Sequence, residues 1–124
     1  MTAAIVLLGH GSRDPGWREP MDAVAARIRA RDPHRPVECA FLELQPPALA
    51  EAVDQLVSDG ATSVTVLPMF LGLGRHARED LPMLLQECRR RHPAVPIQAL
   101  ASAGEEPRLL DLLTELACAR GSTS

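Results

Sequence analysis

The chain has no lysine, only three cysteines, and no apolar run approaching the length of a membrane span. Each shortage removes a class of function. Cys39, Cys88 and Cys118 are odd in number and widely separated, with no C-x-x-C pair, which argues against a zinc knuckle or a redox dithiol. A disulfide framework is not needed at this size, which suits a reducing compartment. Each cysteine falls in an apolar strand or helix pattern and is expected to be a small buried hydrophobe. The opening Met1-Thr2-Ala3-Ala4 leads into an apolar stretch broken at Gly9-His10-Gly11, too short for a signal peptide or a span. A cytoplasmic location with no membrane partner is expected. There is no basic excess either. The 13 basic side chains, all arginine, face 16 acidic ones, and a net charge of −3 argues against a nucleic-acid surface. Low-complexity segments and linkers are also missing, since the eleven prolines and eight glycines are spread out as punctuation.

What is present is a chain of 124 residues, 46% of them hydrophobic, enough for one buried core. A single domain over residues 1–124 is expected, with 119–124 as a frayed tail. Ile5 to Leu8 is a continuous apolar run, the pattern of a strand buried on both faces of a parallel sheet. Met21, Val24, Ala25 and Ile28 follow at helical spacing, with Pro20 in the first turn. Val37 to Leu42 reads as a second strand. Leu49, Ala52, Val53, Leu56 and Val57 make a second helix face that Gly60 terminates. Val64 to Leu67 is a β-branched third strand. A long loop, Leu71 to His76, then precedes a third helix that Asp80 is expected to cap, with Pro82 in its first turn and Leu81, Leu84, Leu85 and Cys88 inward. Pro96 to Leu100 is a short fourth strand, and Pro107 opens a last helix carrying Leu109, Leu110, Leu113, Leu116 and Ala117.

Four strand–helix repeats predict an α/β fold: one flavodoxin-like domain of about four parallel strands with helices on both faces. Right-handed crossovers place every strand-to-helix loop at one edge of the sheet. In the order 2-1-3-4, strands one and three are neighbours at the switch point where ligands bind. His10 follows strand one and His76 follows strand three, both among glycines, so the topology brings them together. Glu43 ends strand two and reaches the same edge. Neutral imidazole is a good ligand for Fe, Co, Ni or Zn, and two histidines with a carboxylate leave coordination positions open. Either histidine alone would more simply hydrogen-bond loop backbone, and Glu43 alone would be a solvated strand end. Arg13, Arg75 and Arg78 flank the histidine segments and could grip an anionic ligand's carboxylates; each is otherwise a solvated charge. His34 and His92 sit in polar turns at the opposite edge and are read as solvated loop residues.

Three blocks then carry a resemblance. Leu8-Gly9-His10-Gly11-Ser12-Arg13-Asp14-Pro15, Ala40-Phe41-Leu42-Glu43-x-x-x-Pro47, and Pro68-Met69-Phe70-Leu71-x-x-Gly74-x-His76-x-x-x-Asp80-Leu81-Pro82 resemble, in order and spacing, the signatures of the class II chelatases that act on sirohydrochlorin. The length is similar to that of the short CbiX-type cobaltochelatases. The resemblance implies a chelatase-like fold and a homodimer enclosing a tetrapyrrole cleft. It also implies Co²⁺, or alternatively Fe²⁺, as substrate metal with no permanently bound cofactor, and a product for cobalamin or sirohaem biosynthesis. His10 and His76 would hold the metal, and Glu43 would assist with the metal or with pyrrole protons. Arg75 just before His76 and Leu73 in the loop depart slightly from the pattern and leave those positions untouched.

Two rival readings use the same residues. One is a metal or tetrapyrrole carrier without turnover. The other is phosphoryl transfer on His10, although that chemistry wants an arginine directly before the histidine and Gly9 stands there. Imidazole in water titrates near pH ~6.5, and a protonated ring has no lone pair for metal. Turnover is therefore expected to fall between about pH 7 and 6; a flat profile down to about pH 5 would count against histidine ligation.

Overall fold

The computed structural model describes residues 2–119. Its chain order is β1 (Ala3–Gly9), a 3-10 turn (Pro15–Arg18), α1 (Glu19–Arg31), β2 (Val37–Phe41), α2 (Leu49–Ser58) and β3 (Ser63–Pro68). Then come α3 (Arg75–Arg91), β4 (Ile97–Ala99), a second 3-10 turn (Ala103–Glu105) and α4 (Pro107–Cys118). The strands form one sheet in the order β2-β1-β3-β4, and every pairing is parallel. Ile5 pairs with Val37 on one side and Thr65 on the other, so β1 is central and β3 is its neighbour across the switch point.

The pleat sorts side chains to two faces. On one, Val6, Leu8, Val64, Val66 and Ile97 pack against Leu49, Ala52, Val53 and Leu56 of α2 and Leu85 and Cys88 of α3. The α2 positions recur at i, i+3, i+4 and i+7, which is why that segment is a helix with one buried stripe. Truncating Leu56 to alanine there would cost about 2–5 kcal/mol. The other face carries Leu7, Cys39 and Phe41 beneath Met21 and Ala25 of α1. Arg18 closes that cluster, its guanidinium 5.1 Å from the Phe41 ring centre and hydrogen-bonded to both oxygens of Asp22.

The structure departs from the sequence expectations in four places. The third helix starts at Arg75, with Gly74 as its cap, so Asp80 is not a cap and Pro82 lies inside the helix. Pro82 is tolerated because it faces outward, where solvent can serve the carbonyl whose helical donor it removes. Leu84 is 36% exposed rather than packed inward.

His92, expected in a solvated turn, caps the C-terminal end of α3, and its Nε2 lies 2.6 Å from Asp54 Oδ1 on α2. Arg91 pairs with the other oxygen of the same carboxylate. Asp54→Ala should therefore lower stability by about 1 kcal/mol, a modest figure because the cluster is partly solvated, and should leave the opposite edge untouched. Urea unfolding checks this, and an unchanged midpoint would show the contact to be energetically idle.

Cys39 and Cys88 are buried as expected, but Cys118 is exposed, because α4 has no residue packed into the core. Burial pushes the Cys39 and Cys88 thiols up, and Asp22 and Asp54 respectively push the same way. Both stay protonated and unreactive. A thiol reagent at pH 8 should titrate Cys118 alone until the protein unfolds. Of the tail expected at 119–124, Ala119 ends α4, and residues 120–124 lie outside the described residues. No helix among the described residues is long and apolar enough to cross a membrane.

Candidate active site

The C-terminal edge of the sheet holds a cavity of about 350 Å³. Its polar lining is His10, Glu43, His76 and Asp80, and its apolar wall is Leu42, Ala77, Met83 and Leu84. The size falls within the range of small-ligand sites. His10 stands one residue beyond β1, and Glu43 two residues beyond β2. The parallel pairing continues past both strand ends, with Leu42 N–H donating to the Gly9 carbonyl at 3.0 Å and Glu43 N–H to the His10 carbonyl at 3.1 Å. That extension brings the side chains together, and His10 Nε2 lies 2.9 Å from Glu43 Oε1. Both side chains are half exposed, at 50% and 56%, so the pair is worth little and opens readily.

Gly11 makes this approach possible. Its φ is +105°, and a Cβ there would sit 1.7 Å from the Glu43 carbonyl oxygen. The glycine therefore serves the protein's own backbone, which must pass close to the carboxylate-bearing loop. Ser12 N–H donates to the Gln45 side-chain oxygen at 3.0 Å and ties the same two loops again.

His76 comes from the first turn of α3, one residue after its start, rather than from a loop. Asp80 stands one helical turn later, on the same side of the helix. Among the described residues, neither His76 nor Asp80 has a side-chain hydrogen bond or ion pair. No three His, Cys, Asp or Glu side chains among the described residues are gathered tightly enough to grip a metal ion as they stand. The site is thus a His10–Glu43 pair facing a His76–Asp80 pair across one cavity, with open space between.

Arg13, Arg75 and Arg78 do not line the cavity. Arg75 pairs with Glu79, its Nε 3.2 Å from the carboxylate. Arg18, which also flanks the first histidine segment, is held by Asp22 and Phe41. Leu42, Ala77, Asp80, Met83 and Leu84 line the cavity and were missed by sequence reasoning as lining residues, and three of them, Asp80, Met83 and Leu84, share a helix face with His76. The signal was available: continuing the helix from His76 at i+4, i+7 and i+8 gives those three positions. Reading Pro82 as a helix start hid it.

A four-stranded parallel α/β sheet with one histidine just past β1 and another in the first turn of α3, both lining one cavity, defines the class of fold and site. Residues 4–119 match the CbiX family model, and the chain belongs to that family. It is 34% identical over 82 residues to a sirohydrochlorin cobaltochelatase of Methanococcus aeolicus, covering 66% of this chain and 57% of that protein. It is 30% identical to a sirohydrochlorin ferrochelatase of Priestia megaterium, covering 90% of this chain and 42% of that one. The chain thus spans little more than half the length of several relatives it matches. The crystal structure of a CbiX protein from Marinobacter aquaeolei VT8 superposes with a TM-score of 0.79, at 30% identity and 93% coverage of both chains.

Proposed function

We propose that this protein is a sirohydrochlorin chelatase, inserting a divalent metal into the tetrapyrrole, with Co²⁺ favoured and Fe²⁺ the alternative. Residues 1–124 form one chelatase unit, which works as a homodimer. The observation that carries the reading is the facing of His10 and Glu43 toward His76 in a single cavity with an apolar wall. The names of the two relatives, one a cobaltochelatase and one a ferrochelatase, support the substrate and leave both metals in play.

The chemistry follows from the geometry. Insertion needs a metal that sheds its water, a ring that loses two pyrrole protons, and alignment of one over the other. His10 would offer a ring nitrogen to the incoming metal, and Glu43, its Oε1 2.9 Å from His10 Nε2, is placed to take up protons released beside it. His76 supplies the second imidazole from across the cavity. The open space between them suits a metal that is passed on rather than kept. Leu42, Met83 and Leu84 offer an apolar surface for a flat macrocycle, whose carboxylates extend toward Arg13, Arg75 and Arg78 outside the cavity. Asp80, without a side-chain partner among the described residues, is the second carboxylate able to accept a pyrrole proton.

The test is turnover. Substoichiometric protein should convert excess sirohydrochlorin to its Co²⁺ or Fe²⁺ chelate, followed by the change in ring absorbance and compared with Ni²⁺. Binding that stops at one equivalent would instead identify a carrier. Glu43→Gln should lower kcat by roughly 10²-fold while shifting metal affinity little, as loss of a proton acceptor does. A change in affinity alone would make Glu43 a ligand instead.

A further inference from the structure

Leu44 holds a backbone conformation that leucine rarely adopts. Its φ is +68°, the only positive value at a non-glycine position among the described residues. Gln45 N–H donates to the Glu43 carbonyl at 2.9 Å, so Glu43, Leu44 and Gln45 form a γ-turn in its rare, strained form with positive φ. Packing does not explain the leucine, because it is 51% exposed and belongs to neither core cluster. The backbone does not call for it either, since glycine takes such a φ at no steric cost. A strained residue persists only where its surroundings over-determine it.

Three ties surround this turn. Glu43 N–H donates to the His10 carbonyl at 3.1 Å and fixes the start of the turn against the end of β1. Phe41 N–H donates to the Pro47 carbonyl at 2.9 Å and closes the loop behind it. The third tie is a side chain, with Ser12 N–H donating to Gln45 Oε1 at 3.0 Å. Because the donor is a backbone N–H, the Gln45 amide must turn its oxygen toward Ser12. Gln45 is half-buried, and a bond partly shielded from water holds more firmly than a surface contact. The Ser12 hydroxyl in turn accepts from Asp14 N–H at 3.1 Å, which stiffens the segment that Gln45 grips. The turn is thus clamped to residue 10 at one end and to residue 12 at the other. Leu44 stands at its apex, and Gly11 is pressed on the Glu43 carbonyl between the two clamps.

We propose that Gln45 is a positioning residue that acts through Glu43: by holding Ser12 it keeps the strained turn at Leu44, and the turn aims the Glu43 side chain at His10. The inference rests on the reading of Glu43 as proton acceptor and names the part that places it. Glu43 Oε1 stands 2.9 Å from His10 Nε2, yet the side chain is 56% exposed. Among the described residues its carboxylate has no other side-chain partner. Its direction is therefore set by its backbone rather than by packing. A γ-turn reverses the chain within three residues. Were Leu44 to relax to an extended conformation, Gln45 would swing away from Ser12, and Glu43 would turn about its one remaining bond to His10. A reacting group misplaced by about an ångström can cost on the order of 10²-fold in rate, so the turn that fixes Glu43 bears directly on turnover.

Sirohydrochlorin turnover in a set of variants tests this, measured well below their unfolding midpoints. Circular dichroism should show all of them folded, since none alters either core cluster. Gln45→Met keeps the length of the side chain and removes the acceptor. Its kcat should fall about tenfold while KM for metal and ring changes less than about twofold, the split expected when an interaction matters only in the transition state. Gln45→Glu returns an acceptor oxygen at the same reach and should recover most of that loss. Leu44→Gly relieves the strain and should stay within about twofold of wild type, because glycine takes the turn unaided. Combined with Gln45→Met, it should bring kcat back to within about threefold of wild type, since an unstrained turn no longer needs the tie; independent structural roles would give additive losses instead. In a Glu43→Gln background, Gln45→Met should have no further effect. A Gln45→Met variant with wild-type kcat, a loss that Leu44→Gly does not recover, or an added loss on top of Glu43→Gln would each overturn the inference and leave the role of Glu43 standing. Wild-type turnover in Glu43→Gln would overturn the reading of Glu43 itself, and this inference with it.

Discussion

His10→Ala and His76→Ala are each expected to lower metal insertion by at least about 10²-fold, to near the uncatalysed rate, without unfolding the protein. Both side chains face a cavity at the sheet edge, outside the two clusters that form the core. His10 has only a solvent-exposed ion pair to lose, so its removal costs little stability. His76→Ala replaces a residue in the first turn of α3 with the best helix former. Activity and stability should therefore separate cleanly. His34→Ala, at the opposite edge of the sheet and exposed, should match wild type in both. His92→Ala should show the reverse pattern, with full activity and a small loss of stability, because it deprives Asp54 of a partner. The measurement is sirohydrochlorin absorbance with each variant, alongside thermal unfolding. Normal turnover in both His10→Ala and His76→Ala would place the metal elsewhere and end this reading of the site.

Gly11→Ala is expected to damage both properties at once. An added Cβ meets the Glu43 carbonyl oxygen at 1.7 Å and the Glu43 carbonyl carbon at 2.9 Å, and neither can yield as a flexible side chain would. The residue also has a φ of +105°, which an L side chain rarely adopts. Relief requires the β2 loop to move away from β1, which separates Glu43 from His10 and breaks the pairing that extends both strands. A cost of about 2–4 kcal/mol follows, lowering Tm on the order of 10 °C. Insertion should fall at least tenfold at temperatures where the variant is still folded. Gly74→Ala is the control: nothing lies within 4 Å of the added carbon, and its φ of −65° suits alanine. That variant should lose only a few tenths of a kcal/mol as a changed helix cap. If Gly11→Ala keeps full activity and stability, the close approach of the two loops is not what holds Glu43 beside His10.

Much of this arrangement was legible in the sequence. Apolar runs and helical spacings gave the strand–helix alternation, and the handedness of crossovers with the switch-point rule gave the sheet order β2-β1-β3-β4. Because those rules put the C-terminal ends of parallel strands at one edge, the gathering of His10, Glu43 and His76 around a single cavity followed from residue positions alone. Side-chain period and crossover handedness are local properties, so a linear chain displays them. What depended on packing between distant segments was not displayed. Pro82 is a local signal for a helix start, yet α3 begins at Arg75, which turned His76 and Asp80 into neighbours on one helix. Nothing near Asp54 announces His92, since the two meet only when α2 and α3 share a sheet face. Gly11 resembles a ligand-facing glycine in sequence, and only the tertiary fold shows that the atom it makes room for is the Glu43 carbonyl oxygen. The leucine stripe of α4 was equally plain, and periodicity established that it must be buried. Only the tertiary structure shows that α4 packs no residue into this chain's core, because an apolar face states what it needs and not where the chain will place it.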